Sequence, residues 1–237
     1  MEDVRGYKLP ELIHGKLIKR YKRFLADVEL EDGQVVTAHC PNSGSMKGCA
    51  IPGSPVWLSQ SDNPKRKLKY TWELAQVPGS LIGINTQIPN KLVKSAIENG
   101  EIEELAGFNR VRAEVKTSEH TRLDLVLEHP TGRKCYVEIK NCTLVEDGLA
   151  QFPDAVTTRG QKHLDELVHL VDQGHRGVIF YLIQRMDARR FSPAHAIDPV
   201  YADKLRQARE RGVEIIIRDT LIDTSHIRVN QAIPLSL

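Results

Sequence analysis

Asp124, Glu138 and Lys140 are charged residues set in apolar segments, and the last two form a Glu-x-Lys triplet. Thr121-Arg-Leu-Asp-Leu-Val-Leu-Glu128 alternates, so a strand here puts Leu123, Leu125 and Leu127 on one face and Asp124 on the other. Lys134-Cys-Tyr-Val-Glu-Ile-Lys140 alternates likewise, with Cys135, Val137 and Ile139 opposite Tyr136, Glu138 and Lys140. Pro130 and Gly132 in the link between them are turn signals. An antiparallel hairpin is expected, placing Asp124 near Glu138 and Lys140.

Two carboxylates beside an ammonium suit a hard divalent cation, Mg²⁺ or Mn²⁺, which keeps several waters and needs only one or two protein carboxylates. Asp124, Glu138 and the Ile139 carbonyl would suffice. Such an ion stabilises charge on a phosphoryl oxygen and makes its bound water nucleophilic, the two requirements of phosphodiester hydrolysis. Lys140 then orients that water or offsets developing negative charge. Glu114, in the preceding candidate strand 109–117, is a possible third ligand. The same residues also fit a cross-strand ion pair worth roughly 0.2–1 kcal/mol on an exposed face.

Around these strands the pattern alternates between helix and strand. Asn90 to Glu98 has helical spacing with an Asn start signal. Gln161 to Val171 places Leu164, Leu167, Val168 and Val171 on one face of an amphipathic helix. Gly177 to Ile183 reads as a buried strand, Tyr201 to Arg211 as a charged helix and Val213 to Ile217 as a last strand. This order resembles the core of the restriction-endonuclease-like PD-(D/E)xK superfamily, whose metal-binding and catalytic positions fall on Asp124, Glu138 and Lys140. Leu123 stands where that motif has its proline.

With 237 residues, 33 Lys+Arg against 31 Asp+Glu and a net charge of +2, the chain is neither disordered nor histone-like. It contains no apolar run long enough to span a bilayer, and Met1-Glu-Asp-Val lacks the marks of a secretory signal. A cytoplasmic location without membrane attachment is expected. Cys40, Cys49, Cys135 and Cys142 show no C-x-x-C spacing and read as reduced structural thiols.

Residues 1–85 read as a first domain of short strands separated by turn residues, a five-stranded OB-like β-barrel, and residues 86–237 as a second, α/β domain. The fold class expected is thus mixed α/β. The first part carries 12 Lys+Arg against 9 Asp+Glu, the remainder 21 against 22. Lys16, Lys19, Arg20, Lys22 and Arg23 form a basic cluster interleaved with Tyr21 and Phe24, and Lys65, Lys67 and Lys69 fall on one face of a candidate strand whose other face holds Leu68, Tyr70 and Trp72. Basic groups release counterions from phosphates, and exposed aromatics stack on bases. A solvated basic face and core aromatics are the plainer reading. The loop from Cys40 to Cys49 is dense in turn formers, and its N–H groups, with Asn42, Ser43 and Ser45, could wrap an anion.

Taken together, His39-Cys-Pro-Asn-Ser-Gly-Ser-Met46, Arg122 to Leu127, Tyr136 to Leu144, Phe152 to Leu167 and Phe191 to Pro199 resemble the sugar fermentation stimulation protein family, almost from end to end. The resemblance implies a DNA-binding protein with an OB-like first domain and a nuclease-like second, associated by name with regulation of sugar metabolism. It also gives the start of the amphipathic helix a purpose: Arg159 as a phosphate clamp, with Lys162 and His163 behind it. Three functions stay open: a DNA-binding regulator, a metal-dependent nuclease of DNA or RNA, and a metal-dependent nucleotide or metabolite hydrolase.

Overall fold

The protein is described by a computed structural model over residues 5–118 and 121–236. A first short strand, β1 (Tyr7–Lys8), is followed by β2 (Leu12–Tyr21), β3 (Leu25–Leu30), β4 (Val35–His39), β5 (Pro55–Gln60), β6 (Tyr70–Val77) and β7 (Ser80–Gly83). Strands β2 to β6 pair in the order β4-β3-β2-β5-β6, and β4 meets β6 in parallel at Ala38↔Tyr70, which closes a five-stranded barrel with β7 appended. Alternation drives it: Gly15 and Leu17 point inward while Lys16 and Ile18 point out. Gly15 is required, because a Cβ there would sit 2.7 Å from the Glu29 carbonyl oxygen on β3. Trp72, Leu58 and Val28 fill the barrel, and the Trp72 indole N–H donates to the Leu74 carbonyl at 2.9 Å. Trp72 is therefore core, and Tyr70 is half-buried against the same core.

Strand β2 carries Lys16, Lys19 and Arg20 of the basic cluster and ends at Tyr21. Lys22 and Arg23 take left-handed φ values of 48° and 63°, turning the chain so that Tyr21 pairs with Leu25. Such a φ costs a non-glycine residue roughly 1–2 kcal/mol. Lys65 to Lys69 likewise precede β6 in a loop, so Lys67 and Lys69 do not share a strand face.

The rest of the chain runs α1 (Ile88–Glu98), β8 (Arg110–Lys116), β9 (Arg122–Glu128), β10 (Lys134–Cys142), β11 (Leu144–Glu146), β12 (Leu149–Phe152), α2 (Thr158–Asp172), β13 (Arg176–Ile183), β14 (Arg190–Pro193), α3 (Pro199–Glu210), β15 (Glu214–Ile222) and β16 (His226–Ala232). Seven strands form one mixed sheet in the order β1-β16-β15-β13-β10-β9-β8, while β11, β12 and β14 form a small separate sheet. The middle strands β10, β13 and β15 are parallel and covered on both faces. Along β13, Val178, Phe180 and Leu182 pack toward Leu92, Val93 and Ala96 of α1, and Ile179, Tyr181 and Ile183 toward Leu164 and Leu167 of α2 and Tyr201 and Leu205 of α3. Each such buried side chain contributes about 1.5–3 kcal/mol. The architecture is mixed α/β, an OB-like barrel followed by a restriction-endonuclease-like α/β unit. β1, although it precedes the barrel, pairs with β16 of the second sheet.

Candidate functional site

The candidate site forms where the β9–β10 ladder stops. The strands pair from Glu128↔Lys134 to Leu125↔Val137 and no further. Alternation breaks at the same place. Leu125 and Leu127 pack in the core under α1, but Leu123 packs in the other core, against expectation. Its partner strand shares the kink: Val111 and Val115 of β8 also pack on opposite faces, and Glu114 between them has a left-handed φ of 54°. The kink turns the Asp124 carboxylate toward the β10 backbone. Oδ2 accepts the Ile139 N–H at 2.8 Å, the bond a strand carbonyl would otherwise take. In an extended strand the Ile139 carbonyl points the same way, beside Asp124.

Oδ1 of Asp124 accepts from the Asn90 side-chain amide at 2.7 Å. Asn90 is not the helix start that its type signals. Helix α1 begins at Ile88 with Pro89 in its first turn, where the missing N–H costs nothing, and Asn90 is free to reach the sheet.

Glu138 and Lys140 share one face of β10, as their i, i+2 spacing requires. Glu138 is 3 % exposed. Its Oε1 accepts from Lys140 Nζ at 2.7 Å and from His163 Nδ1 on α2. Its Oε2 has no hydrogen-bond partner among the described residues. Arg159 Nε lies 3.4 Å from His163 Nε2 and can only donate, so Nε2 is the acceptor and Nδ1 carries the proton given to Glu138. His163 is thus buried inside the charged cluster rather than displayed on the surface.

Burial pushes the Asp124 carboxyl up to about 6, and the neighbouring Glu138 charge adds to this, outweighing the Ile139, Lys140 and Asn90 contacts that oppose it. Burial also pushes Glu138 upward, but the hydrogen bond from His163 and the Lys140 charge outweigh it and hold Glu138 below the usual carboxylate value. One carboxylate is therefore firmly ionised, and the other ionises only near neutrality.

This donor set fits a divalent cation that keeps much of its water: Oε2 of Glu138 is orphaned, and Asp124 is fixed beside it. Among the described residues no group of three His, Cys, Asp or Glu side chains converges as a complete cage. Glu114 does not complete one; it is exposed and lies 3.7 Å from Arg122.

Three depressions meet here. Arg122, Arg159, Lys162 and His163 line one of about 380 Å³, with no acidic residue among the described residues of its wall. Asp124 and Glu114 line a second of about 340 Å³ with Asn90, Lys91 and Lys94. Lys140 and Arg159 open on a third of about 400 Å³, under the barrel loop Asn42–Gly44. The start of α2 is anchored by Thr157, whose hydroxyl accepts the Gly160 N–H, and by buried Asp198, which accepts from Thr157 N–H, Gln161 and Tyr201 N–H and so ties α2 to α3. Free N–H groups there favour an anion beside exposed Arg159 and Lys162.

On the barrel, Lys16, Lys19, Lys22 and Arg23 are exposed, as are Lys67 and Lys69. Arg20 is not free for phosphate, because its guanidinium donates to the carbonyls of Asn42 and Gly44, both at 2.9 Å. The loop read as an anion cradle does hold one, the chain's own Asp154. That carboxylate accepts from Ser45 N–H at 2.8 Å and Ser45 Oγ at 3.0 Å. Asn42 is buried with its Oδ1 on the Gly44 N–H, and only Ser43 stays exposed and unpartnered. Asn90, Asp154 and Asp198 carry no functional signal in the sequence, because Asp124, Ser45 and Thr157, which they serve, lie far along the chain. The four cysteines are free and buried, and no helix among the described residues is long and apolar enough to cross a membrane.

With this geometry in hand, similarity to known proteins decides the family. Residues 87–226 match the model described as "Sugar fermentation stimulation protein RE domain", and residues 18–84 match "SfsA N-terminal OB domain". The chain belongs to the sugar fermentation stimulation protein family. A homolog from Geobacter sulfurreducens is 59% identical over 94% of this chain and 95% of its own. Another, from Pelobacter propionicus, is 56% identical over 97% of this chain and 100% of its own. The SfsA of Pyrococcus furiosus, solved in complex with Ca²⁺, superposes with a TM-score of 0.89 at 26% identity, covering 99% of this chain and 100% of that one. The SfsA fold thus extends over the whole chain.

Proposed function

We propose that this SfsA-family protein binds nucleic acid and hydrolyses its phosphodiester bonds with a divalent cation held by Asp124 and Glu138. The observation that carries the reading is the unpartnered, buried Oε2 of Glu138 beside a second carboxylate and Lys140. An unsatisfied buried polar atom costs about 1–3 kcal/mol, more when charged, and a bound ion would recover that cost. The RE-domain match and the Ca²⁺ complex of the Pyrococcus relative support it.

In this role Mg²⁺ or Mn²⁺, when bound, supplies Lewis acidity and a more acidic water. Asn90 and the Ile139 N–H hold Asp124 in place. His163 anchors one oxygen of Glu138 and leaves the other for the ion. Lys140 orients the attacking water or offsets the charge that develops on phosphate. Arg159 and Lys162 hold the phosphate at the start of α2, and Lys16, Lys19, Lys22 and Arg23 lead the strand along the barrel.

A second reading is a DNA-binding regulator, of sugar metabolism as the family name has it, that retains this scaffold without cutting. It is favoured by Lys140 already neutralising Glu138, with His163 on the same oxygen, and by the absence of a third converging ligand among the described residues. Single-stranded, duplex and tailed DNA and RNA, each incubated with Mg²⁺ or Mn²⁺, separate the two. Cleavage by wild type that Lys140→Ala lacks is expected; substrates all left intact by wild type would leave the regulator.

A further inference from the structure

The third depression is a pocket of about 400 Å³ that neither the ion site nor the basic helix start accounts for. Its roof is the barrel loop Asn42–Gly44, and its walls are Lys140 to Leu144 of the second sheet with Gln151 and Phe152 of the small sheet. The roof is fastened from both sides. Arg20 holds its carbonyls, while Asp154 takes the N–H and hydroxyl of Ser45. Gly44 makes the fit possible, since a Cβ there would stand 2.6 Å from Asp154 Oδ2. The pocket is therefore a built junction between barrel and catalytic unit.

Its size lies in the roughly 300–1,000 Å³ range of small-ligand pockets. A base pair would bring its partner and a second backbone, so the space suits one nucleotide unpaired from any complement. Chemistry agrees. Lys140 and Arg159 stand at one side, where a phosphate would lie. The Gln151 side-chain amide has no partner among the described residues, and the Asn141 amide nitrogen is free there because only its Oδ1 is used, by Gln184; the exposed Ser43 lies at the rim. Side-chain amides of this kind read the edge of a base. Phe152 adds a half-buried aromatic wall, held by Tyr181 and Tyr201 at ring distances of 5.6 and 5.3 Å.

We infer that this pocket receives a single unpaired nucleotide next to the phosphate at Lys140, so that the protein selects nucleic acid with a free strand end or an extruded base over continuous duplex. The inference rests on the nucleic-acid reading above and assigns its substrate class. It makes the loop Asn42–Gly44 a specificity element supplied by the barrel to the other unit's site.

The test measures binding of a blunt DNA duplex and of the same duplex carrying a single-stranded tail, in EDTA so that hydrolysis plays no part. Wild type is expected to prefer the tailed duplex by about tenfold, the size of one base contact. Ser43→Phe, which fills the pocket from its exposed rim, is expected to abolish the preference while blunt-duplex binding stays; Ser43→Ala, which leaves the pocket open, keeps it. Equal binding of both duplexes by wild type, or a preference that survives Ser43→Phe, overturns the inference. Cleavage assays with Mn²⁺ report separately: a tailed preference without cleavage sinks only the hydrolysis reading, and cleavage without preference sinks only the pocket.

Discussion

Among the described residues two glutamates are buried, one in each unit, and they are satisfied differently. Glu73, on β6 of the barrel, is 5 % exposed and has a hydrogen bond on each oxygen, from Ser59 Oγ at 2.7 Å and Asn85 Nδ2 at 2.8 Å. Glu138, equally buried, crowds Lys140 and His163 onto one oxygen and leaves the other empty. Both sit in apolar strands. Burial alone therefore does not mark a reactive carboxylate. What separates them is satisfaction: neutral donors on both oxygens staple a barrel, whereas a half-satisfied carboxylate beside the Lys140 ammonium is poised to take a ligand.

The largest expected effect lies at Glu138. Glu138→Ala should lower the rate of phosphodiester hydrolysis by about 10³-fold or more, since it removes a ligand that stabilises charge in the transition state. Glu73→Ala should leave turnover per folded molecule unchanged but destabilise the fold by about 1–3 kcal/mol, because buried Ser59 and half-buried Asn85 lose their acceptor; chemical denaturation reads this directly. Equal loss of activity in the two variants would erase the distinction. Asn90→Ala, which frees one oxygen of Asp124, should weaken Mn²⁺ binding by about 10–100-fold in calorimetry while the protein stays folded.

Protonation sharpens the contrast further. Asp124 is raised from 3.8 to about 6, so the metal-free protein loses stability as pH rises between those values, where folding holds the proton that the unfolded chain releases. Asp124→Asn should remove that part of the pH profile in metal-free thermal melts. Cation binding, which needs the ionised form, should strengthen as pH rises through about 6. Smallest of all, Lys16→Gln and Lys19→Gln on the barrel should each reduce the salt-dependence slope of DNA binding by about one while leaving cleavage at saturation intact.

How much of this was legible in the sequence follows from the range of the interactions. The strands carrying Asp124, Glu138 and Lys140 and the helix from Thr158 were visible because alternation and helical spacing are local. The kink was not. Leu123 looked like a third member of the Leu125 and Leu127 face, and only the paired left-handed residue Glu114 on β8 sends it to the other core. Asn90 carried a helix-start signal that Pro89 pre-empted, and its amide serves Asp124, 34 residues away. Lys22 and Arg23 fell in a turn because backbone reversal overrode a continuous basic pattern. Asp154 had no signal at all, since its partners Ser45 and Met46 lie more than a hundred residues earlier.

The central claim concerns one atom, Oε2 of Glu138. An anomalous difference map from crystals grown with Mn²⁺ tests it most directly. The expected result is a single strong peak between Glu138 Oε2 and the Asp124 carboxylate in wild type, absent in Glu138→Gln crystals. A map with no peak there, or one unchanged by Glu138→Gln, contradicts the account.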